Sequence, residues 1–213
     1  MKECQAFETF QMIYTKDLFF DKELRTGGFY ELAIQVCPSA DNEPIRLYMD
    51  FIWKLKNVEG PFDGNFKVIP TDIINTTHEG ILHLDDHAIP FMTYNIREVE
   101  PIETGFNWFD ICFYTSAIER IFGPEYLTWT ENPKLPEQLN NFLINVLKNL
   151  YGIYPFQLAI KGFEVSGQSY LENLSTQLES ECLESEFYLA QKDYDKVSEL
   201  NKKFVTKVED LTL

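Results

Sequence analysis

Residues 136–167, PEQLNNFLINVLKNLYGIYPFQLAIKGFEVSG, decide the fold because they predict one helix followed by one buried strand. Apolar residues recur there at the helical period, and asparagines fill much of the opposite face. The apolar stripe comprises Leu139, Phe142, Leu143, Val146, Leu147, Leu150 and Tyr151. Pro136 suits the first helical turn, and we expect Gly152 to end the helix in the left-handed conformation. Both faces of the segment after Pro155 are apolar, which predicts a central strand.

The chain on either side of this unit alternates between strand-like and helix-like patterns. Leu47, Tyr48, Phe51, Ile52 and Leu55 share one helical face, which predicts a helix over 44–56 that Asn42 can cap. A second, short helix is predicted to end at Gly123. Strands are predicted over 6–14, 29–36, 66–69, 80–84, 89–98 and 106–114.

The segment from residue 170 to residue 213 shows no strand pattern. Leucines at helical spacing precede a second stripe formed by Val197, Leu200, Phe204, Val208 and Leu211. We therefore expect 170–213 to be a helical C-terminal segment. Since strands and helices do not alternate strictly, the whole chain, 1–213, is predicted to be a single α+β domain. Its mostly antiparallel sheet would have six to eight strands with helices packed on it.

The charge of the chain restricts its partners. The formal net charge is −16, from 34 acidic and 18 basic residues. Nucleic acids and anionic membranes both require clustered Lys and Arg, which this sequence lacks, so we expect neither as a partner. A basic protein is favoured, because complementary charge speeds association. The alternative, which the charge by itself favours, is that the acidity serves solubility alone.

The cysteines and the first residues indicate a cytoplasmic protein. The four cysteines are widely spaced and form no CxxC pair, so neither a zinc finger nor a disulfide framework is expected. MKECQAFETF lacks the apolar core of a signal peptide, and no stretch approaches the ~20 apolar residues of a membrane helix.

All three histidines lie in THEGILHLDDHAIP, at 77–90, where they define a candidate metal site. On one continuous strand, His83, Asp85 and His87 would project from the same face and could hold a divalent metal for hydrolysis. The alternative is a polar turn at Asp85–Asp86, because aspartate is depleted in strands. Known metalloenzyme signatures such as HExxH are absent. No cofactor is expected apart from this candidate metal.

Two acidic residues are candidate buried carboxylates. Asp110 shares a predicted strand face with Trp108, and Glu164 follows the apolar strand that begins near Phe156. Burial would raise the pKa of either group, and a carboxyl with a raised pKa can act as a general acid. A structural role near a strand end is the alternative.

Three functions remain open, because the sequence lacks nucleophile-elbow and phosphate-loop motifs. The first is a non-catalytic interaction module, of the same broad class as inhibitors and immunity proteins, that binds a basic partner. Its acidic face would include Glu179, Glu181, Glu184 and Glu186, with aromatic residues as anchors. The second is a metal-dependent hydrolase built on the histidine cluster. The third is a small-molecule binding domain with an aromatic pocket near Trp108 and Trp129.

Overall fold

A computed structural model of the chain describes residues 14–73, 77–98, 105–126, 135–165 and 185–211, together with Leu171 and Leu174. Its centre is one eight-stranded sheet. The strands are β1 (Phe29–Pro38), β2 (Val58–Phe62), β3 (Thr77–Leu84), β4 (His87–Arg97), β5 (Phe106–Tyr114), β6 (Leu158–Phe163), β7 (Glu186–Leu189) and β8 (Val205–Lys207). Their order across the sheet is β2-β3-β4-β5-β1-β6-β7-β8. Neighbours are antiparallel except β7 and β8, so the predicted α+β class with a mostly antiparallel sheet is confirmed.

The described residues of the first three quarters of the chain form four α-helices. They are α1 (residues 14–20), α2 (Glu43–Trp53), α3 (Thr115–Phe122) and α4 (Glu137–Ile153). Gly123, at φ 128°, ends α3 because glycine adopts this backbone conformation without a steric penalty. The predicted helices over 44–56 and before Gly123 are thereby confirmed. Among the described residues, no helix is both long and apolar enough to cross a membrane.

The two faces of the sheet bury different sets of side chains. One face, called here the helix face, packs against α2 and α4 through alternate residues such as Leu32 on β1 and Phe109 on β5. The other face, called here the open face, buries Trp108, Ile160 and Phe187, and Leu174 and Val197 from the C-terminal segment pack on them. Because the C-terminal segment packs near β6 and β7, the central part of the open face is the part that carries a cleft.

The helix and strand of 136–167 form as predicted, with one exception at the helix end. All six residues of the stripe from Leu139 to Leu150 are buried, and β6 is an interior strand between β1 and β7. The expectation for Gly152 is wrong, because Gly152 lies within α4, which ends at Ile153 with Tyr154 as its C-cap. The helix therefore runs almost to Pro155, where the chain turns into β6.

The described residues of the C-terminal segment are only partly helical. Leu171, Leu174 and Gln191–Tyr194 are helical, but β7 and β8 add two strands that the sequence pattern did not predict. The second predicted stripe is also wrong as a single helix, because Phe204 lies in a 3-10 turn, Val205 begins β8 and Leu200 is 71% exposed.

The sheet begins at an edge strand that the sequence did not indicate. β2 contains Gly60 and Pro61, whereas the strand predicted over 66–69 is limited to an isolated bridge between Phe62 and Val68. The loop after β2 folds back, so that Ile69 donates its backbone N–H to the carbonyl of Pro61 over 2.9 Å. Of the first predicted strand, 6–14, residues 6–13 lie outside the described residues, and residue 14 is helical.

Candidate functional site

The histidine cluster does not form one face of a strand. Asp85 and Asp86 make the turn between β3 and β4, with Asp85 at φ 47°, so the interpretation as a polar turn is correct. Across this hairpin, His83 pairs with Ala88 and Leu84 pairs with His87. Cross-strand partners share a face, and neighbours along a strand do not. His83 and His87 therefore project from opposite faces of the sheet.

Each of the two histidines has its own neighbour. His83 Nε2 lies 2.7 Å from Glu59 Oε1, and the ring of His87 packs against that of Phe122 at 4.8 Å between centroids. Among the described residues, no group of three His, Cys, Asp or Glu side chains is placed to hold a metal ion. The hydrolase hypothesis required His83, Asp85 and His87 on one strand face, and the structure places His83 and His87 on opposite faces.

A first cleft, called here the amide groove, lies between α4, the end of α2 and the β3–β4 hairpin. It has a volume of about 550 Å³. Its polar lining consists of Asn57, His83, Asp85, Gln138, Asn141, Asn145 and Asn149, and its apolar lining consists of Phe51, Leu55, Leu84, Phe142 and Val146. Five neutral amides in one cleft offer many hydrogen-bond donors and acceptors without net charge.

Three of these amides follow one another along α4. Asn141, Asn145 and Asn149 are exposed and are spaced four residues apart, so they fall on neighbouring turns of one helix face. Asn149 donates from Nδ2 to the backbone carbonyl of Asn145 over 2.7 Å. The sequence showed these asparagines as the polar face of an amphipathic helix, and only the position of the hairpin shows that this face borders a groove.

A second cleft, called here the acidic cleft, lies on the open face of the sheet. It has a volume of about 570 Å³ and is lined by Phe29, Glu31, Thr77, Met92, Tyr94, Ile96, Asp110, Cys112 and Glu164. The pairing of β1, β5 and β4 builds it, because Cys112 lies opposite both Glu31 and Met92 while Asp110 lies opposite Tyr94. The strands thus place two carboxylates and a thiol side by side among apolar groups.

The two strand carboxylates of the acidic cleft are deeply placed. Asp110 is 1% exposed and Glu31 is 4% exposed, and Cys112 donates from Sγ to Glu31 Oε2 over 3.5 Å. Burial raises the pKa of the Cys112 thiol well above its ordinary value, and the nearby Asp110 and Glu31 act in the same direction. Cys112 is therefore a protonated thiol at neutral pH and not a thiolate nucleophile.

The structure places the two candidate carboxylates at different depths. Asp110 is buried, as expected. Glu164 is exposed, because β6 ends at Phe163 and Glu164 follows it at φ 47°. Both nevertheless line the acidic cleft, which the sequence could not show because their strands are separated by β1.

Glu31 is the functional candidate that sequence reasoning missed. It lies on the face of β1 opposite the apolar residues Tyr30, Leu32, Ile34 and Val36, and the sheet places it beside Cys112 in the cleft. One signal in the sequence could have indicated that Glu31 is buried. The aromatic run around Asp110 is typical of a strand buried on both faces, and a strand that pairs with such a strand is also buried on both faces.

Of the predicted acidic stretch and the two tryptophans, the structure describes only Glu186 and Trp108. Glu186 begins β7, where its Oε2 lies 3.0 Å from Nζ of the buried Lys161. Glu179, Glu181, Glu184 and Trp129 lie outside the described residues. Trp108 is buried in the open-face core and donates from Nε1 to Glu98 Oε1 over 2.9 Å, so it does not line either cleft.

Neither cleft could be related to a site in a known protein. No protein-family model, curated protein or solved structure matches this chain.

Proposed function

We propose that this protein is a non-catalytic interaction module that binds a basic partner protein, and that the acidic cleft receives a Lys or Arg side chain of that partner. The observation that carries the proposal is the composition of this cleft. Glu31, Asp110 and Glu164 supply three carboxylates beside the apolar side chains of Phe29, Met92 and Ile96.

The walls of the cleft suit the stem of a long basic side chain. Lys and Arg combine an apolar chain of methylene groups with a charged end. Phe29, Met92 and Ile96 offer apolar surface for the methylene groups, and the carboxylates in the same lining can pair with the charged end. A charge-assisted hydrogen bond is about twice as strong as a neutral one, so such an arrangement favours a cation over a neutral group of the same shape.

An aromatic ring at the cleft adds to this preference. Tyr94 lines the cleft and is 36% exposed, so its ring is accessible to an entering group. A cation near the face of an aromatic ring gains electrostatic energy from the ring quadrupole. The net charge of −16 would act at longer range, because it attracts a basic partner before contact.

A catalytic role has less support. The raised pKa of Cys112 disfavours nucleophilic chemistry in the acidic cleft, and the histidines lie on opposite faces of the sheet.

The methionines allow a direct test of cation binding. Met92 lines the cleft, whereas Met49 lies in the helix-face core. In protein labelled on its methionine methyl groups, n-butylammonium and n-butylguanidinium should shift the Met92 NMR signal in a saturable way. Met49 should not respond, and neutral n-butanol should have little effect on either signal.

Matched variants assign the effect to the carboxylates. Glu164→Gln and Asp110→Asn should each weaken cation binding about tenfold, since a hydrogen bond to a charged group contributes ~1.5–3 kcal/mol. Asp17→Asn removes the same charge at an exposed site on α1 and should leave the affinity unchanged. Equal responses to butylammonium and butanol, or equal affinity in all variants, would refute the proposal.

A further inference from the structure

We infer that the amide groove is a second binding site, which holds an extended polypeptide segment and recognises its backbone through Asn141, Asn145 and Asn149. The site goes beyond the proposed function, because it is bordered by α4 and therefore belongs to the helix-bearing side of the sheet, opposite the acidic cleft. A segment with a basic residue that lies beside Asp85 is the ligand that the groove fits.

The spacing of the asparagines matches the repeat of an extended chain. Four helical residues rise by ~6 Å, at about 1.5 Å per residue. An extended peptide presents the same backbone edge every second residue, at intervals of ~6.7 Å. The difference over the whole ladder is ~1.4 Å, which asparagine side chains can absorb through their two rotatable bonds.

The chemistry of the amide matches the peptide backbone. Each asparagine side chain carries a carbonyl acceptor and an NH₂ donor, and each backbone edge of an extended peptide presents one N–H and one C=O per two residues. One side chain can therefore engage both groups of one peptide residue. The hydrogen bond from Asn149 to the carbonyl of Asn145 leaves Asn149 with its oxygen and a second N–H.

The rest of the groove provides places for the side chains of such a segment. An extended peptide that binds through its backbone directs alternate side chains toward the surface beneath it. Phe51, Phe142 and Val146 give that surface apolar character. The amides and apolar groups together suit a peptide better than a highly charged ligand.

Charge complementarity indicates that the bound segment carries one basic residue. Among the described residues that line the groove, Asp85 is the only carboxylate, and none is Lys or Arg. Asp85 and its neighbour Asp86 are both exposed at the hairpin turn. A Lys or Arg of the bound segment would lie beside them.

The composition of α4 is a further argument. Asparagine is a poor helix former, and glutamate, lysine or alanine would stabilise the same exposed positions better. Asn141 and Asn145 are exposed to solvent, so packing does not explain why asparagine occupies them. A binding role does explain it.

The first experiment is a selection from a displayed library of short, unstructured peptides, each with one Lys or Arg. The library is selected in parallel on the wild-type protein and on the variant Asn141→Ala/Asn145→Ala/Asn149→Ala. We expect sequences that enrich on the wild type alone. Alanine favours helix, so loss of binding by the variant is not expected to result from unfolding, and circular dichroism verifies this.

The second experiment tests backbone recognition with a selected peptide made synthetically. N-methylation of alternate residues removes donors from one backbone edge, and methylation of the other residues removes them from the opposite edge. One series should lose at least tenfold in affinity and the other should lose little. Asn145→Ala should weaken binding about tenfold, from the loss of two hydrogen bonds. Lys148→Ala, on the same helix but outside the groove lining, should not.

Three results would overturn the inference. These are equal enrichment on wild type and triple variant, equal sensitivity of the two methylation series, and binding that Asn145→Ala leaves unchanged. Glu164 does not line the amide groove, so Glu164→Gln should affect none of these measurements, and the failure of one proposal is distinguishable from the failure of the other.

Discussion

His78 illustrates how one buried residue connects a loop to the sheet. It lies on β3 and is 3% exposed, and its Nε2 accepts the backbone N–H of Asp72 over 2.9 Å. Burial lowers the pKa of His78 below its ordinary 6.5, and the nearby Asp72 opposes this change only in part. The imidazole must be neutral to accept this hydrogen bond, so protonation would both charge a buried ring and break the contact.

This arrangement predicts acid sensitivity of folding. The unfolded chain takes up a proton at His78 at a higher pH than the folded chain does. The contribution to stability is therefore complete above pH 6.5 and is lost as the pH falls below that value. Denaturant unfolding measured across this range should show a decrease in the free energy of unfolding. His78→Gln keeps an acceptor without a titrating ring and should flatten the decrease.

His87→Gln is the matched control, because the ring of His87 packs against Phe122 near the hairpin turn and, among the described residues, does not accept the N–H of Asp72 as His78 does. If His87→Gln flattens the pH dependence as much as His78→Gln, the decrease has another origin.

Single residues were the hardest features to place from the sequence. Asp110 could be predicted as buried because its own strand is aromatic on both sides, so the pattern was local. Glu31 could not, because its burial depends on β5 and on a cleft formed by three strands. His83 and His87 were misplaced because a single turn at Asp85–Asp86 reverses the strand and moves them to opposite faces.

At the scale of elements, α4 and β6 form the unit that organises the fold. The apolar stripe of α4 packs on the helix face of the sheet. Strand β6 contributes to the cores on both faces, with Ala159 on the helix face and Leu158 on the open face. A helix of this kind gains its stability from its buried face and not from its intrinsic propensity, which the asparagines reduce.

Truncation within the stripe should therefore be costly. Leu143 is fully buried, and Leu143→Ala should lower the free energy of unfolding by ~2–5 kcal/mol through lost burial and the cavity left behind. Asn141→Ala, on the exposed face of the same helix, should raise stability slightly, by up to ~0.5 kcal/mol. Urea unfolding measures both, and a similar midpoint for Leu143→Ala and the wild type would contradict the assigned packing.

Elements with strong periodicity were predictable, and elements defined by their neighbours were not. The apolar patterns of α4, β1 and β5 are long, and each fits only one period, that of a helix or that of a strand. β7 and β8 have four and three residues, too few for a pattern, and they become strands because β6 offers an unpaired edge. β2 was missed for a similar reason, since Gly60 and Pro61 are typical of turns.

At the scale of the whole molecule, the dominant property is charge. With −16 on a chain of 213 residues, like charges repel one another over the surface of the folded state more than in the expanded chain. Ion pairs such as Arg25–Glu79, at 2.5 Å, offset this locally.

Screening of this repulsion should stabilise the fold. Added sodium chloride shortens the Debye length from ~30 Å at low salt to ~10 Å at 0.1 M, so the thermal midpoint should rise over that range. A variant with Asp17→Asn, Glu125→Gln and Glu137→Gln, all at exposed positions, should show a smaller rise. A midpoint that falls with salt would mean that attractive ion pairs outweigh the repulsion.

The two edges of the sheet affect the tendency of this protein to aggregate at high concentration. A bare edge strand is a template on which a further chain can grow a sheet, and that growth leads to fibres. At one edge, Pro61 has no N–H to offer and its carbonyl already accepts Ile69; at the other, β8 has three residues between two 3-10 turns. Among the described residues, neither edge is a good template, so we expect this protein to resist polymerisation by strand addition.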